Sequence, residues 1–490
     1  MKLFPYILAA LLTASAFHMP ETAYSMFLGW AAVITFCFAV RSNLSLWGFF
    51  LFGVCTHALG MHWLTRTLVN FGGFPDAIGA LLFTLYCLVS ALPYLGAGII
   101  YRYLLARSSL FWGILLGAAY FLAEVTSWRM FPWTFAHTQI IFTPFVSLVE
   151  FVPLELLSAV MIFVASRLVS LRRNEAESSR GLALTFGFFF GLLALGGMRS
   201  QAVQALIDKA PEVKVGLVQA NIDAFTVNDA SKREENLARY QSLSAEAVQA
   251  GAEVLFWPES SDLTFVPSSE LILKNTKFDV YPEAEVPLIY GTLSYRERTT
   301  AEIEQKKSMS QIPFPADLEK EIKFASYNAV LARNSQGVVV GNYYKQGLMP
   351  FGEYLPFADY YPTVRKLSPL SGNFDRGESS RPIRIVLQGK ELQIGALICY
   401  EDIVSSYSRK TVAAGANLLV NFTNDAWYDP SIASLQHQLL AQFRAIETRR
   451  FMLRVTNTGF TTVVDPHGRT VQLLQPLSSG HLVTAVKLVQ

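Results

Sequence analysis

The stretch ALICYED, residues 396–402, ends an apolar run in a thiol with two acidic residues just beyond it. Of the four cysteines in the chain, Cys37, Cys55 and Cys87 lie in strongly apolar segments, where a thiol serves as a small hydrophobe. Cys399 stands alone in the polar part. One thiol makes neither a disulfide framework nor a Cys-rich metal site, which leaves a packed core residue or a nucleophile. Two other segments place reactive groups at the ends of candidate strands: LFWPESS with Glu259, and YYKQGLMPFGEYLPF with Lys345 and Glu353. A carboxylate partly buried beside Trp257 and Pro258 has its pKa raised toward the work of a general base. The oxyanion of an acyl-transfer intermediate needs donors or positive charge, and Lys345 is the candidate. A helix beginning just after Cys399 would lower the thiol pKa through its N-terminal dipole. Taken singly, Glu259 also fits a surface acid, Lys345 a hairpin lysine and Cys399 a core residue, so both readings stand at this point.

The elements that must hold these residues fall into two parts. Residues 1–198 carry 17 of the 78 charged side chains in a 490-residue chain. Apolar runs near 3–19, 24–40, 45–64, 76–101, 110–127, 143–169 and 181–198 are each about long enough for a hydrocarbon core of roughly 30 Å, which predicts about seven spans. The opening stretch MKLFPYILAALLTASAF also fits a cleaved signal peptide, with the same cytoplasmic N-terminus. Lys2, Arg41, Arg102, Arg107, Arg167, Arg172, Arg173 and Arg180 then fall on one side and Arg66, Arg129 and Arg199 on the other. That asymmetry places everything after Arg199 outside the cytoplasm. A formal net charge of +2, with no block of like charge, gives no sign of a nucleic-acid partner.

From Val213 onward short apolar runs alternate with amphipathic ones, which predicts an α/β domain over 211–490 beside a helical membrane domain over 1–199. Strands are expected in VKVGLVQAN, EVLFWPES, VPLIYGTLSY, YNAVLARN, GVVVGNYYKQ, LQIGALICYE, ANLLVNFTND and FMLRVTNTGFTTVVD. Helices are expected over 231–250, 403–414 and 431–449. Residues 296–323 read as a charged, solvated insertion. His437 with Gln436 reads as a structural hydrogen-bonding pair, and the seven histidines lack metal-ligand spacing, so neither metal nor cofactor is expected.

The ordered set of LFWPESS, YYKQG followed by PFGEYLP, and ALICYED resembles the carbon-nitrogen hydrolase (nitrilase) superfamily, whose αββα sandwich carries a Glu-Lys-Cys triad. With the polytopic N-terminal part, and with GMHWLTRTLVNFGG, MFPWTF, NDAWYDPSIASLQHQLLAQFRAIETRR and RVTNTG, the chain is similar to the apolipoprotein N-acyltransferase family over nearly its whole length. The resemblance implies that Cys399 takes an acyl chain from a phospholipid as a thioester and passes it to the amine of a diacylglyceryl-modified cysteine of an apolipoprotein. It implies Glu259 as general base, Lys345 at the oxyanion, Glu353 and Glu401 as supporting carboxylates, and Tyr400 as a positioning residue. It also implies a multi-pass protein of the bacterial inner membrane whose catalytic domain faces the periplasm.

Some positions depart from the family pattern. Gly347 stands where a histidine is usual, Tyr428 and Asp429 replace Phe-Gly, and only Phe225 is offered where a tryptophan contacts substrate. The sequence ends at HLVTAVKLVQ without the usual final membrane helix, so tethering is expected through the N-terminal side. The rings of Phe351, Tyr354, Phe357, Tyr360 and Tyr361 are expected to form a lid or lipid-access rim. Two other functions compete: a membrane-tethered amidase using the same triad, and a non-catalytic lipid binder or scaffold, which would need none of the three residues.

Overall fold

The computed structural model describes residues 2–70, 72–108, 110–171, 178–223, 226, 229–312, 321–367, 372–428 and 432–490. Its first part is built from helices α1 (Phe4–Phe17), α2 (Ala23–Ser42), α3 (Leu46–Gly60), α4 (Leu64–Asn70), α5 (Asp76–Ser90), α6 (Leu92–Leu105) and α7 (Trp112–Thr126). A short α8 (Thr143–Val146), then α9 (Leu154–Leu171) and α10 (Ser178–Lys209), complete it. Thr22 and Ser45 start α2 and α3 by accepting from the backbone N–H groups of Ser25 and Gly48. Prolines sit in the first turns of α1 and α6, where no helical N–H is lost.

All seven apolar runs of the sequence hold helices, but their lengths differ. Four stretches are long and apolar enough to cross a membrane: Ala23–Ser42, Asp76–Leu105, Leu154–Leu171 and Arg180–Lys209. This composition fits a membrane protein. The other three, α1, α3 and α7, have 14 or 15 residues. At 1.5 Å per residue they reach only about 22 Å. The run expected over 143–169 is divided, with α8 and a 3-10 turn at Ser147–Glu150 before α9 begins at Leu154. Pro153 cannot donate into a helix continuing through it, and Glu150 is drawn aside to Arg199 and Arg449.

The second part is a pair of sheets. One runs in the order β13-β1-β2-β4-β5-β6, with β3 beside β4. Its strands are β1 (Glu212–Gln219), β2 (Val254–Trp257), β3 (Phe265–Pro267), β4 (Leu288–Glu297), β5 (Phe324–Arg333), β6 (Val339–Tyr344) and β13 (Gly480–Lys487). The other runs β12-β11-β10-β9-β8-β7. It comprises β7 (Ile383–Leu387), β8 (Lys390–Ile398), β9 (Leu418–Thr423), β10 (Met452–Thr456), β11 (Thr461–Val464) and β12 (Thr470–Leu474). The pleat decides the packing: Val254 and Phe256 of β2 meet Ile394, Ile398 and Phe422 between the sheets. Leu255 and Trp257 point the other way, onto α11 (Arg233–Gln249). Across the second sheet, Leu397 and Leu419 pack on Ala441 and Ala445 of α14 (Ile432–Thr448). The layers are therefore helix, sheet, sheet, helix.

The expected strands are present, and FMLRVTNTGFTTVVD is a hairpin rather than one strand. Strands β3, β7, β12 and β13 were not legible: β7 alternates buried and exposed residues through IRIVL, and β12 is largely solvated. The insertion contains α12 (Thr300–Met309), started by a capping box between Thr299 and Glu302. Residues 313–320 of it lie outside the described residues. Between α12 and α14 runs α13 (Ser405–Ala413).

Candidate active site

Glu259 is set by the end of β2 and by the strand beside it. The chain leaves β2 at Trp257 and bends at Ser260, whose φ of 55° lies in the left-handed region. It then crosses directly over Gly291 of β4. A Cβ at Gly291 would stand 2.5 Å from both Glu259 Cα and the Pro258 carbonyl oxygen. Only glycine lets the two backbones approach this closely. Gly291→Ala is therefore expected to push Glu259 aside, lowering the rate of any reaction that uses it by roughly tenfold or more. Single-turnover kinetics check this, and a full rate would show that the approach is not needed.

The Glu259 carboxylate is buried and accepts from Asn328 Nδ2 at 2.7 Å and from the Asn424 N–H at 3.0 Å. Lys345 follows β6, also buried, with Nζ 2.9 Å from Glu353 Oε1 and 3.6 Å from Glu259 Oε1. Asn328 Nδ2 reaches Glu353 Oε1 as well, at 2.8 Å. One amide and one ammonium thus bridge two carboxylates. Burial raises the Glu259 pKa above its ordinary value; Lys345 opposes this and Glu353 adds to it. Burial works against the Lys345 ammonium, but Glu353 and Glu259 more than offset it and hold the group charged.

Cys399 closes β8 and opens a five-residue 3-10 turn, Cys399–Ile403, with its own φ at 50°. Asn421 Nδ2 holds its carbonyl at 3.0 Å. The thiol lies within electrostatic reach of Glu259, Lys345 and Glu353. Its pKa departs from the expectation of a lowered value. Burial pushes it up, as do Glu259 and Glu353, against Lys345 and the Thr423 hydroxyl. Burial has the largest effect here, and the helix expected just after the thiol, α13, starts only at Ser405.

Glu401 ties the loop after β6 to the turn that carries the thiol. It accepts from the N–H groups of Gln346 (2.6 Å), Gly347 (2.8 Å) and Ile398 (2.7 Å), and from the Tyr343 hydroxyl (2.9 Å). Burial pushes its pKa up to about 7, with the backbone donors pulling the other way. The Tyr400 hydroxyl leaves the sandwich altogether and donates to the Met130 carbonyl at 2.7 Å. At Gly347 a Cβ would lie 2.9 Å from the Tyr407 ring, so a larger residue there would have to displace that half-buried side chain. Phe225 and Asp429 lie outside the described residues.

Residues 214–490 match the carbon-nitrogen hydrolase family. The chain belongs to that family. Among curated proteins it is similar to the apolipoprotein N-acyltransferases of Geobacter metallireducens, at 28% identity over 94% of this chain and 85% of that one, and of Haemophilus ducreyi, at 28% over 93% and 84%. A carbon-nitrogen hydrolase structure from Helicobacter pylori aligns with 57% of this chain and 90% of its own, at 13% identity and a TM-score of 0.39.

In this carbon-nitrogen hydrolase the structure brings Glu259, Lys345, Cys399 and Glu353 together, with Tyr400 and Glu401 on the turn that carries the thiol. Asn328, Asn424, Asn421, Thr423 and Gly291 were not singled out by sequence, although the first four sit in the quoted strands YNAVLARN and ANLLVNFTND. His437 lies in a buried network: Nδ1 is 2.8 Å from Arg454 Nη2 and 3.2 Å from Asp425 Oδ1, and Nε2 is 2.8 Å from Asp402 Oδ1. In the aromatic loop Phe351, Phe357, Tyr360 and Tyr361 are exposed, which suits a rim better than a core. Among the described residues no group of His, Cys, Asp and Glu could hold a metal ion.

Proposed function

We propose that this family member is an apolipoprotein N-acyltransferase that takes its acyl chain from a phospholipid. The observation that carries the proposal is a thiol beside a buried base and ammonium, on a turn hydrogen-bonded to the apolar helical part through Tyr400 and Met130. The names of the curated relatives support the same activity. A membrane-tethered amidase would use the same cluster, but a small soluble amide gives no reason for exposed rings around it or for a thiol turn docked on apolar helices.

In the proposed first step Glu259 takes the Cys399 proton as sulfur attacks the acyl ester carbon, and Lys345 stabilises the oxyanion. The C–O bond breaks, the proton passes to the leaving lysophospholipid oxygen, and a thioester remains. In the second, the α-amine of a diacylglyceryl-cysteine attacks that carbon, Glu259 takes the amine proton, and the C–S bond breaks to return the thiol. A raised thiol pKa suits this sequence, because the proton moves during attack and the resting site holds no exposed thiolate. Glu353 and Glu401 hold Lys345 and the loop behind it, and Tyr400 positions the thiol turn.

On this proposal residues 1–199 anchor the protein in the bacterial inner membrane and residues 211–490 form the catalytic domain on the periplasmic side, as the arginine asymmetry supports. Incubation with phospholipid vesicles alone is expected to leave one acyl adduct on the peptide containing ALICYED, removable by neutral hydroxylamine. Absence of the adduct, with hydrolysis of a small amide instead, would favour the amidase.

A further inference from the structure

A cluster of charges sits among the apolar helices, where ions are costly to bury and demand a reason. After α7 ends at Thr126, the Arg129 guanidinium is held on three sides. Nη1 donates to Glu124 Oε1 at 3.3 Å and to the Trp133 carbonyl at 3.1 Å, and Nη2 donates to Glu155 Oε1 at 2.6 Å. The second oxygen of Glu124 accepts from the Thr134 hydroxyl at 2.7 Å, which in turn meets the Ser158 hydroxyl at 2.7 Å. Both ends of the segment 129–134 are thereby fixed to α7 and α9.

What lies between those ends faces the thiol turn. The Met130 carbonyl accepts the Tyr400 hydroxyl at 2.7 Å. The Phe131 ring meets Trp63 edge-on at 5.8 Å, and Trp63 packs on Tyr428 at 5.2 Å while its indole N–H donates to Gln436 at 2.9 Å. Tyr400 is the residue after Cys399. We infer that Arg129 is a positioning residue for the Cys399 thiol, acting through the Met130 carbonyl and the Tyr400 hydroxyl, so that the helical part completes the active site as well as anchoring it. The inference rests on Cys399 being the nucleophile of the proposed reaction.

The test uses the full chain in phospholipid nanodiscs, with Arg129→Gln, Tyr400→Phe and the double variant. Arg129→Gln and Tyr400→Phe are each expected to lower the maximal rate of Cys399 acylation by about tenfold or more, leaving the half-saturating phospholipid concentration unchanged. The double variant is expected to be no slower than the slower single one, because both changes break the same link. Alkylation of Cys399 by iodoacetamide reads position without any acyl donor, and its pH midpoint is expected to move alike in both single variants but not in the remote control Arg296→Gln. Should Arg129→Gln fail to fold, Glu155→Gln, which keeps the bond to Glu124, replaces it in the same cycle. Multiplicative losses in the double variant, or a full rate and an unmoved midpoint in the variant at the ion cluster, overturn the inference. A protein that alkylates with the expected shifts yet accepts no acyl chain overturns the acyl-transfer proposal alone.

Discussion

Cys399→Ala is expected to abolish the covalent acyl adduct, and Lys345→Ala to slow its formation by roughly a hundredfold or more while the thiol remains in place. Lys345 is the ammonium that lies against both Glu259 and Glu353. Without it, two carboxylates face the developing oxyanion, and Glu259 loses the interaction that opposes the rise in its pKa. Catalysis then suffers twice, through the charge that is gone and through a base more often protonated. Lys345→Arg is not expected to rescue it, because a planar fork cannot replace a compact ammonium in a buried site. The sign of the pH dependence follows from the same groups. As the proposed base, Glu259 must be ionised to act and its pKa is raised, so the acylation rate should climb with pH through a midpoint above the ordinary carboxylate range. In Lys345→Ala that midpoint should move higher still, and in Glu259→Gln the limb should vanish. Single-turnover mass spectrometry across pH measures all three, and a rate indifferent to Lys345 would show that the oxyanion is held elsewhere.

What sequence could and could not show follows from how the site is assembled. Glu259, Lys345 and Cys399 were legible because each terminates an apolar strand, and a polar residue just past such a run stands out in one dimension. Asn328 sits inside β5, and Gly291 inside β4; their roles depend on which strand lies beside which, and at what register. Nothing local marks either. The direction of the thiol pKa was misjudged for a related reason: a dipole was expected from a helix following Cys399, whereas burial beside two carboxylates, set by distant parts of the chain, has the larger effect. The helical runs were visible as composition, but the break inside 143–169 was not; Pro153, just before α9, lacks the backbone N–H that a continuous helix would need there. Arg129 read only as a charge outside the membrane; its two carboxylate partners come from α7 and α9.

Residues 211–490 expressed without the helical part are expected to form no stably folded enzyme. The weak element is α14, whose pattern suggests an ordinary amphipathic helix with one wet face. In the structure neither face is wet. Ala441 and Ala445 lie on the second sheet, whereas Leu439, Leu440, Phe443 and Ile446 join the core of the helical part, among Phe135, Ile140 and Val149. Exposing four such side chains forfeits about 1.5–3 kcal/mol each, or roughly 6–12 kcal/mol together, which is comparable to the whole net stability of a typical domain. Polar groups point the same way. Gln436 Nε2 donates to the Gly60 carbonyl at 3.0 Å, Gln438 to Glu21 at 3.1 Å, and Arg449 to Glu150 at 2.8 Å, all across the cut. Water can replace those bonds after cleavage but cannot replace the apolar contacts, so the apolar loss decides the outcome. Hydrogen exchange should find 432–448 unprotected in the fragment and protected in the full chain, and co-expression with the separate helical part should restore protection. A soluble fragment with α14 protected would mean that the sandwich holds this helix unaided, and that the helical part is needed for contacts such as that between Met130 and Tyr400 rather than for the fold of the sandwich.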